Sequence, residues 1–207
     1  MSAIAAATTG SQSLWLLSRG SGLILLLTFS AVVVLGVATR TGAASRRWPR
    51  FAVAELHRTL SLFAVALLGL HVVTAILDPY VSIGWVATAV PFTSHYETLA
   101  IGLGSLAVDL FGAVLITSLA RVRLGLAAWR AVHWVAYLAW PIAFLHSIRA
   151  ASYDLHIWWV ALAEWGSLAA VATAVIVRLL SRTRPGPPGT GREQNTPMPA
   201  IQPAEIR

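Results

Sequence analysis

Residues 55–73 read ELHRTLSLFAVALLGLHVV, and residues 130–147 read RAVHWVAYLAWPIAFLHS. Each stretch is apolar enough for a lipid bilayer, and each carries two histidines, His57 and His71 in the first and His133 and His146 in the second. The spacings nearly match: 14 residues from 57 to 71 and 13 from 133 to 146. An ionisable side chain inside a membrane is costly and marks a functional site by default. Two on each of two helices, at similar separations, suggest two metal-centred cofactors stacked across the membrane.

The rest of the chain agrees with a membrane setting. Of 207 residues, 57% are hydrophobic and 11% charged, with a mean hydropathy of +0.72. That composition points to an all-α membrane protein. There is no cysteine, which excludes disulfides, iron–sulfur clusters and thiolate-held metals. All fifteen basic residues are arginines, giving a net charge of +7. They lie between and beyond the apolar segments, so they read as topology signals and not as a nucleic-acid footprint.

Five segments are long enough to span, at about 14–37, 56–77, 98–119, 130–149 and 157–180, each near the ~20 residues a bilayer needs. Residues 1–13 carry no charge and are expected as a short extracytoplasmic N-terminus, with the first apolar run kept as a helix and not removed as a signal. The membrane domain then covers 14–181. The tail, 182–207, is rich in proline and polar residues and is expected to be disordered on the cytoplasmic side. Arg40, Arg46, Arg47 and Arg50 follow the first span, Arg121, Arg123 and Arg130 the third, and Arg182, Arg184 and Arg192 the fifth. The opposite loops hold Asp78, Glu97 and Asp154, with Arg149 as the main exception. The positive-inside rule then puts the N-terminus outside and the C-terminus in the cytoplasm of a multi-pass cell-membrane protein. The apolar stretch within 79–97 is too short to span and is expected to be an interfacial helix or cap.

Spans two and four run in the same direction. His57 with His133 therefore forms an inner level and His71 with His146 an outer one, separated by ~20 Å at 1.5 Å per residue. A haem between each pair, with one imidazole on either face, suits this arrangement, and such bis-histidine iron has no open site for oxygen. Fourteen residues return a helix to within ~40° of its starting face, whereas thirteen miss by ~140°. Pro141 lies between His133 and His146, and a proline kink there is expected to re-aim His146.

These two stretches, together with SRGSGLILLLTFSAVVVLG at 18–36 and RRWPRF at 46–51, resemble the ferric reductase-like transmembrane domain, the haem-b membrane domain related to ferric reductases and NADPH oxidases, in the form of a stand-alone bacterial member. The resemblance covers about residues 14–180. It implies a five-span bundle enclosing two stacked haems b, an inner one held by His57 and His133 and an outer one by His71 and His146. It further implies transmembrane electron transfer to an acceptor outside: ferric iron, oxygen or a partner reductase. The family's fused flavin and nicotinamide domain has no counterpart here, since no glycine-rich dinucleotide fingerprint follows a strand. FAD and NADPH would act only through a separate flavin reductase, or the donor would be a membrane quinol. The chain reads as an oxidoreductase or the haem subunit of one. The competing class is a non-redox membrane scaffold or transporter component whose histidines act as polar glue between helices.

Other residues are open at this stage. Arg19, near the outer end of the first span, suits either a haem propionate or snorkelling to the interface; Arg58, Arg130 and Arg149 share that ambiguity. Asp109 and Glu164 suit either a hydrogen bond to a ligand histidine or a neutral buried acid. Gly20, Gly22, Gly102 and Gly104 suit close helix contact. His95 and His156 read as ordinary loop residues, or as a weak outer metal site.

Overall fold

The computed structural model describes residues 2–41, 49–79, 83–151 and 154–182, with side chains from residue 12 onward. The described residues form seven helices and no strand: α1 (Ser2–Thr41), α2 (Arg50–Leu77), α3 (Gly84–Ala89), α4 (Thr98–Leu119), α5 (Arg121–His133), α6 (Ala136–Ala150) and α7 (Trp158–Arg182). The segments Gln12–Thr41 of α1, Arg50–Leu77, Thr98–Leu119 and Trp158–Ser181 are each long and apolar enough to cross a membrane, and the bent pair α5–α6 makes a fifth if it counts as one span. A bilayer environment follows, because a helix satisfies its own backbone polar groups where no water can.

Helix ends follow from local chemistry. α2 starts directly after Pro49 and stops at Leu77, with Asp78 extended at φ −68° and ψ 113°, because Pro79 disfavours helical geometry in the residue before it. The connection after α2 holds the short helix α3, as the apolar stretch there led us to expect. Phe92 and Glu97 both adopt left-handed backbone, φ 66° and 41°, a conformation uncommon outside glycine. The turn folds over the start of α4, where the Phe92 ring covers Gly102 so closely that a Cβ there would lie 2.2 Å from it. The Ser105 hydroxyl donates to the Ala87 carbonyl and fixes α3 to α4.

The first helix begins at Ser2, so residues 2–13 are helical, and its segment long and apolar enough to span is Gln12–Thr41. One expectation is corrected. The fourth span is not one helix kinked at Pro141. It breaks at Trp134–Val135, where α5 and α6 meet at 45°, while Pro141 lies inside an unbroken α6. His133 is thus the last residue of one helix and His146 belongs to the next. The segment before the break is helical as well, interrupted by Gly125 at φ 77° and ψ 160°, backbone that only glycine takes readily. The tail after 182 lies outside the described residues.

Two antiparallel pairs organise the bundle. α1 packs on α2, and α4 packs on α6; α1 also reaches α7 and α6. α2 and α6 are not in extended backbone contact. Helix association in lipid relies on close packing rather than on water exclusion. Here Leu25, Leu26, Phe29, Ala64, Trp140, Phe144 and Val171 form the buried cluster. Phe29 stacks on Phe111 with centroids 4.0 Å apart, and Trp140 Nε1 donates to Ser30 Oγ at 3.0 Å.

Candidate functional site

Three of the four histidines are held in the same way. His71 Nδ1 lies 2.9 Å from the Ser18 carbonyl, His57 Nδ1 2.9 Å from the Val32 carbonyl, and His146 Nδ1 2.7 Å from the Ala100 carbonyl. A carbonyl can only accept, so Nδ1 must carry the proton. In the neutral ring the lone pair then sits on Nε2, the tautomer that a carbonyl-bonded metal ligand adopts.

Each accepting carbonyl is followed four residues later by a glycine: Ser18 by Gly22, Val32 by Gly36, Ala100 by Gly104. Each glycine lies under the imidazole that the carbonyl holds. A Cβ would come within 2.9 Å of the His71 ring at Gly22, 3.2 Å of the His57 ring at Gly36, and 2.8 Å of the His146 ring at Gly104. The reason is geometric. In a helix the carbonyl of residue i points along the axis toward residue i+4, so a side chain approaching that oxygen must cross position i+4. Only a residue without a Cβ leaves it room.

The repeat also fixes the register of α1 against α2. From 57 to 71 on α2, the acceptor moves from 32 back to 18 on α1, the same 14-residue step in the opposite direction. The near-integral number of turns noted for that spacing therefore puts both rings on one face, about 21 Å apart along α2.

At one end of the bundle the two helix pairs present a histidine to each other. His71, backed by α1, faces His146, backed by α4; their ring centroids are 6.2 Å apart and their planes 73° apart. Two imidazoles sharing a metal along one axis would have centroids about 6 Å apart, given metal–nitrogen bonds of about 2.0 Å. The donor set, its tautomer and its separation fit a haem iron between them. A two-ligand axial site is distinct from a convergent cluster, and among the described residues no group of three or more His, Asp or Glu side chains converges on one point.

At the other end the pairing is looser. His133 lies near enough to His57, Arg178 and Arg40 to feel their charge, and no ring contact joins it to His57 among the described residues. However, the buried His133 Nδ1 has no hydrogen-bond partner among the described residues. Its ring lies tilted against Trp129, with centroids 5.0 Å apart. No carbonyl-and-glycine seat serves it, because the helix breaks immediately after it.

The remaining candidates fall elsewhere. Arg19 ties α1 to the α6–α7 turn: Nε donates to Asp154 Oδ2 at 2.8 Å and an Nη to the Ala150 carbonyl at 2.8 Å, while the guanidinium sits 4.7 Å over Trp15. That engagement competes with the propionate role. Arg58 is exposed beside Glu55, and Arg130, Arg149, His95, His156 and Asp109 are exposed as well. Glu164 is fully buried and accepts from the Ser147 hydroxyl at 2.6 Å. Neither acid is bonded to one of the four histidines among the described residues; backbone carbonyls hold three of them. Of the four glycines singled out, Gly22 and Gly104 seat histidines, Gly102 lies under Phe92, and Gly20 meets open space.

Sequence reasoning missed Gly36, the carbonyl seats and Arg178. The signal for Gly36 was present, since 22 and 36 repeat the 14-residue step of 57 and 71. No family model, curated protein or solved structure matches the chain.

Proposed function

We propose that this chain is a transmembrane electron carrier of the ferric reductase-like kind, holding an outer haem b between His71 and His146 and an inner haem b between His57 and His133. The observation that carries this reading is the facing pair His71 and His146, 6.2 Å apart between ring centroids, with each Nδ1 committed to a backbone carbonyl. When bound, the two haems would supply one-electron couples linking a cytoplasmic-side donor to an acceptor outside.

The chain's own residues bind, orient and insulate. The Ser18, Val32 and Ala100 carbonyls hold the imidazoles in one tautomer. Gly22, Gly36 and Gly104 let those rings reach the helix axis. Phe29, Phe111, Ala64 and Trp140 fill the layer between the two levels. In this reading the N-terminus is outside and the arginine-rich connections are cytoplasmic. The donor is a separate flavin reductase using FAD and NADPH, or a quinol; the acceptor is ferric iron, oxygen or a partner protein.

The carbonyl bonds would also suit histidines that merely tie helices together, and one experiment separates the two readings. The full chain is purified from a haem-replete host, and haem stoichiometry and absorption spectrum are recorded. Two low-spin haems b per chain are expected. A folded, haem-free chain would refute the carrier reading in favour of the scaffold.

A further inference from the structure

Arg178 is a buried cation with no anionic partner among the described residues. It sits near the end of α7, inside an apolar helix long enough to span, and is only 8% exposed. Its guanidinium donates to the Tyr137 hydroxyl and lies 4.4 Å over the Trp134 ring and 4.9 Å over the Tyr137 ring. A hydroxyl and two ring faces solvate a cation without neutralising it. Among the described residues the ion pairs are Arg19–Asp154 and Arg58–Glu55, and residues 110–153, which supply Trp134 and Tyr137, contain no acid. A charge held out of water without a partner is among the most costly arrangements a fold can keep.

The neighbourhood says where the missing anion belongs. Trp134, under the guanidinium, follows His133 directly. His133 in turn has Arg178, Arg40 and His57 as its electrostatic neighbours, so two arginines flank this histidine level, whose nearby acid Glu55 is exposed and beside Arg58. Arginine offers five N–H donors in a planar fork that matches a carboxylate, and among the described residues one bond, to Tyr137, uses them.

We propose that Arg178 is a positioning residue for the inner cofactor and binds a propionate carboxylate of the haem held by His57 and His133. The inference rests on the electron-carrier reading and adds a specific contact to it. Two other sources offer similar chemistry: a lipid phosphate, and the carboxylates of Glu193 or Glu205 in the segment after residue 182.

The test measures cofactor binding, not turnover. In the full chain carrying His71→Ala and His146→Ala, only the inner level remains. Apoprotein is titrated with haem and with haem dimethyl ester, in which both propionates are masked. With Arg178 present, the ester is expected to bind at least about tenfold more weakly than haem, the size of effect typical of partners behind a metal ligand. In Arg178→Gln, haem affinity is expected to fall by a similar factor and the preference over the ester to disappear. Arg178→Lys, which keeps the charge and loses the fork, is expected to retain part of the preference and guards against misfolding of the glutamine variant.

An unchanged preference in Arg178→Gln overturns the inference. So does a loss of affinity for haem and ester alike, which would indicate a lipid phosphate or a purely structural role. Reproduction of the Arg178→Gln result by Glu193→Gln with Glu205→Gln assigns the arginine to the chain's own carboxylates. A wild-type chain that takes up no haem overturns the carrier reading and this inference with it. Two haems in wild type with the preference intact in Arg178→Gln overturns the inference alone.

Discussion

At the His71/His146 level both imidazoles are pinned: each Nδ1 has a backbone carbonyl and each ring has a glycine beneath it. At the His57/His133 level only His57 is seated in this way. His133 ends its helix, leans on Trp129, and leaves Nδ1 without a partner among the described residues. The difference traces to what lies behind each ring. A straight helix running antiparallel to the ligand helix supplies carbonyls in register, and α1 does so twice for α2. α4 does so once for α6, and then the break at Trp134–Val135 takes the chain off the axis. Backbone thus fixes both rings at one level and only His57 at the other.

The comparison can be broken most directly by removing ligands. His71→Ala or His146→Ala is expected to cost one of two haems per chain, and His57→Ala or His133→Ala the other, read by pyridine haemochrome assay; equal loss at both levels from any single change would merge the two sites. Next come the glycine seats. Gly104→Ala and Gly22→Ala place a methyl within 3 Å of a ring, so outer-haem affinity should drop about 10–100-fold, whereas Gly36→Ala, with slightly more room, should cost less at the inner level. Haem titration of the three variants checks the order, and an equal or reversed ranking would show that the seats do not set ring position.

Glu164 anchors α7 to Ser147, beside His146. Glu164→Ala is expected to destabilise the fold by about 1–3 kcal/mol, seen as a lower melting temperature in detergent. Pro141→Ala should leave the outer spectrum nearly unchanged, because the bend lies elsewhere; a marked shift would restore the proline as the residue that aims His146. The smallest effect belongs to Arg19→Gln. Its pair with Asp154 has side chains 29% exposed, so the loss should stay below about 1 kcal/mol, with haem content unchanged. Loss of the outer haem instead would revive Arg19 as a propionate ligand.

Much of this was legible in the sequence. Apolar length gave the four single-helix spans, Asp78–Pro79 gave the end of α2, and the histidine pattern gave the facing of His71 and His146. The break at 134–135 was not legible. Neither Trp134 nor Val135 is a helix breaker, while Pro141 is one by every local rule, yet α6 runs through it. The awkward 13-residue spacing was the real signal: a straight helix cannot present residues 133 and 146 to one face, and the chain answers by ending one helix at His133. The seats were half legible. Glycines marked close approach, but which ring approaches which carbonyl depends on how α1 slides along α2, and no single helix encodes that. Arg178 was hidden by its position, since an arginine near the end of a span reads as one that reaches for the interface.

The layer between the two histidine levels has an electrical consequence. Phe29 and Phe111 stack there, Ala64 is fully enclosed, and the nearby Ser30 hydroxyl is spent on Leu26 and Trp140. In the electron-carrier reading this layer of packed carbon would lie between the two haems, and the side chains that form it offer a proton no carboxylate. On that proposal, the same few side chains would serve as the insulator of a capacitor that electrons alone are meant to cross.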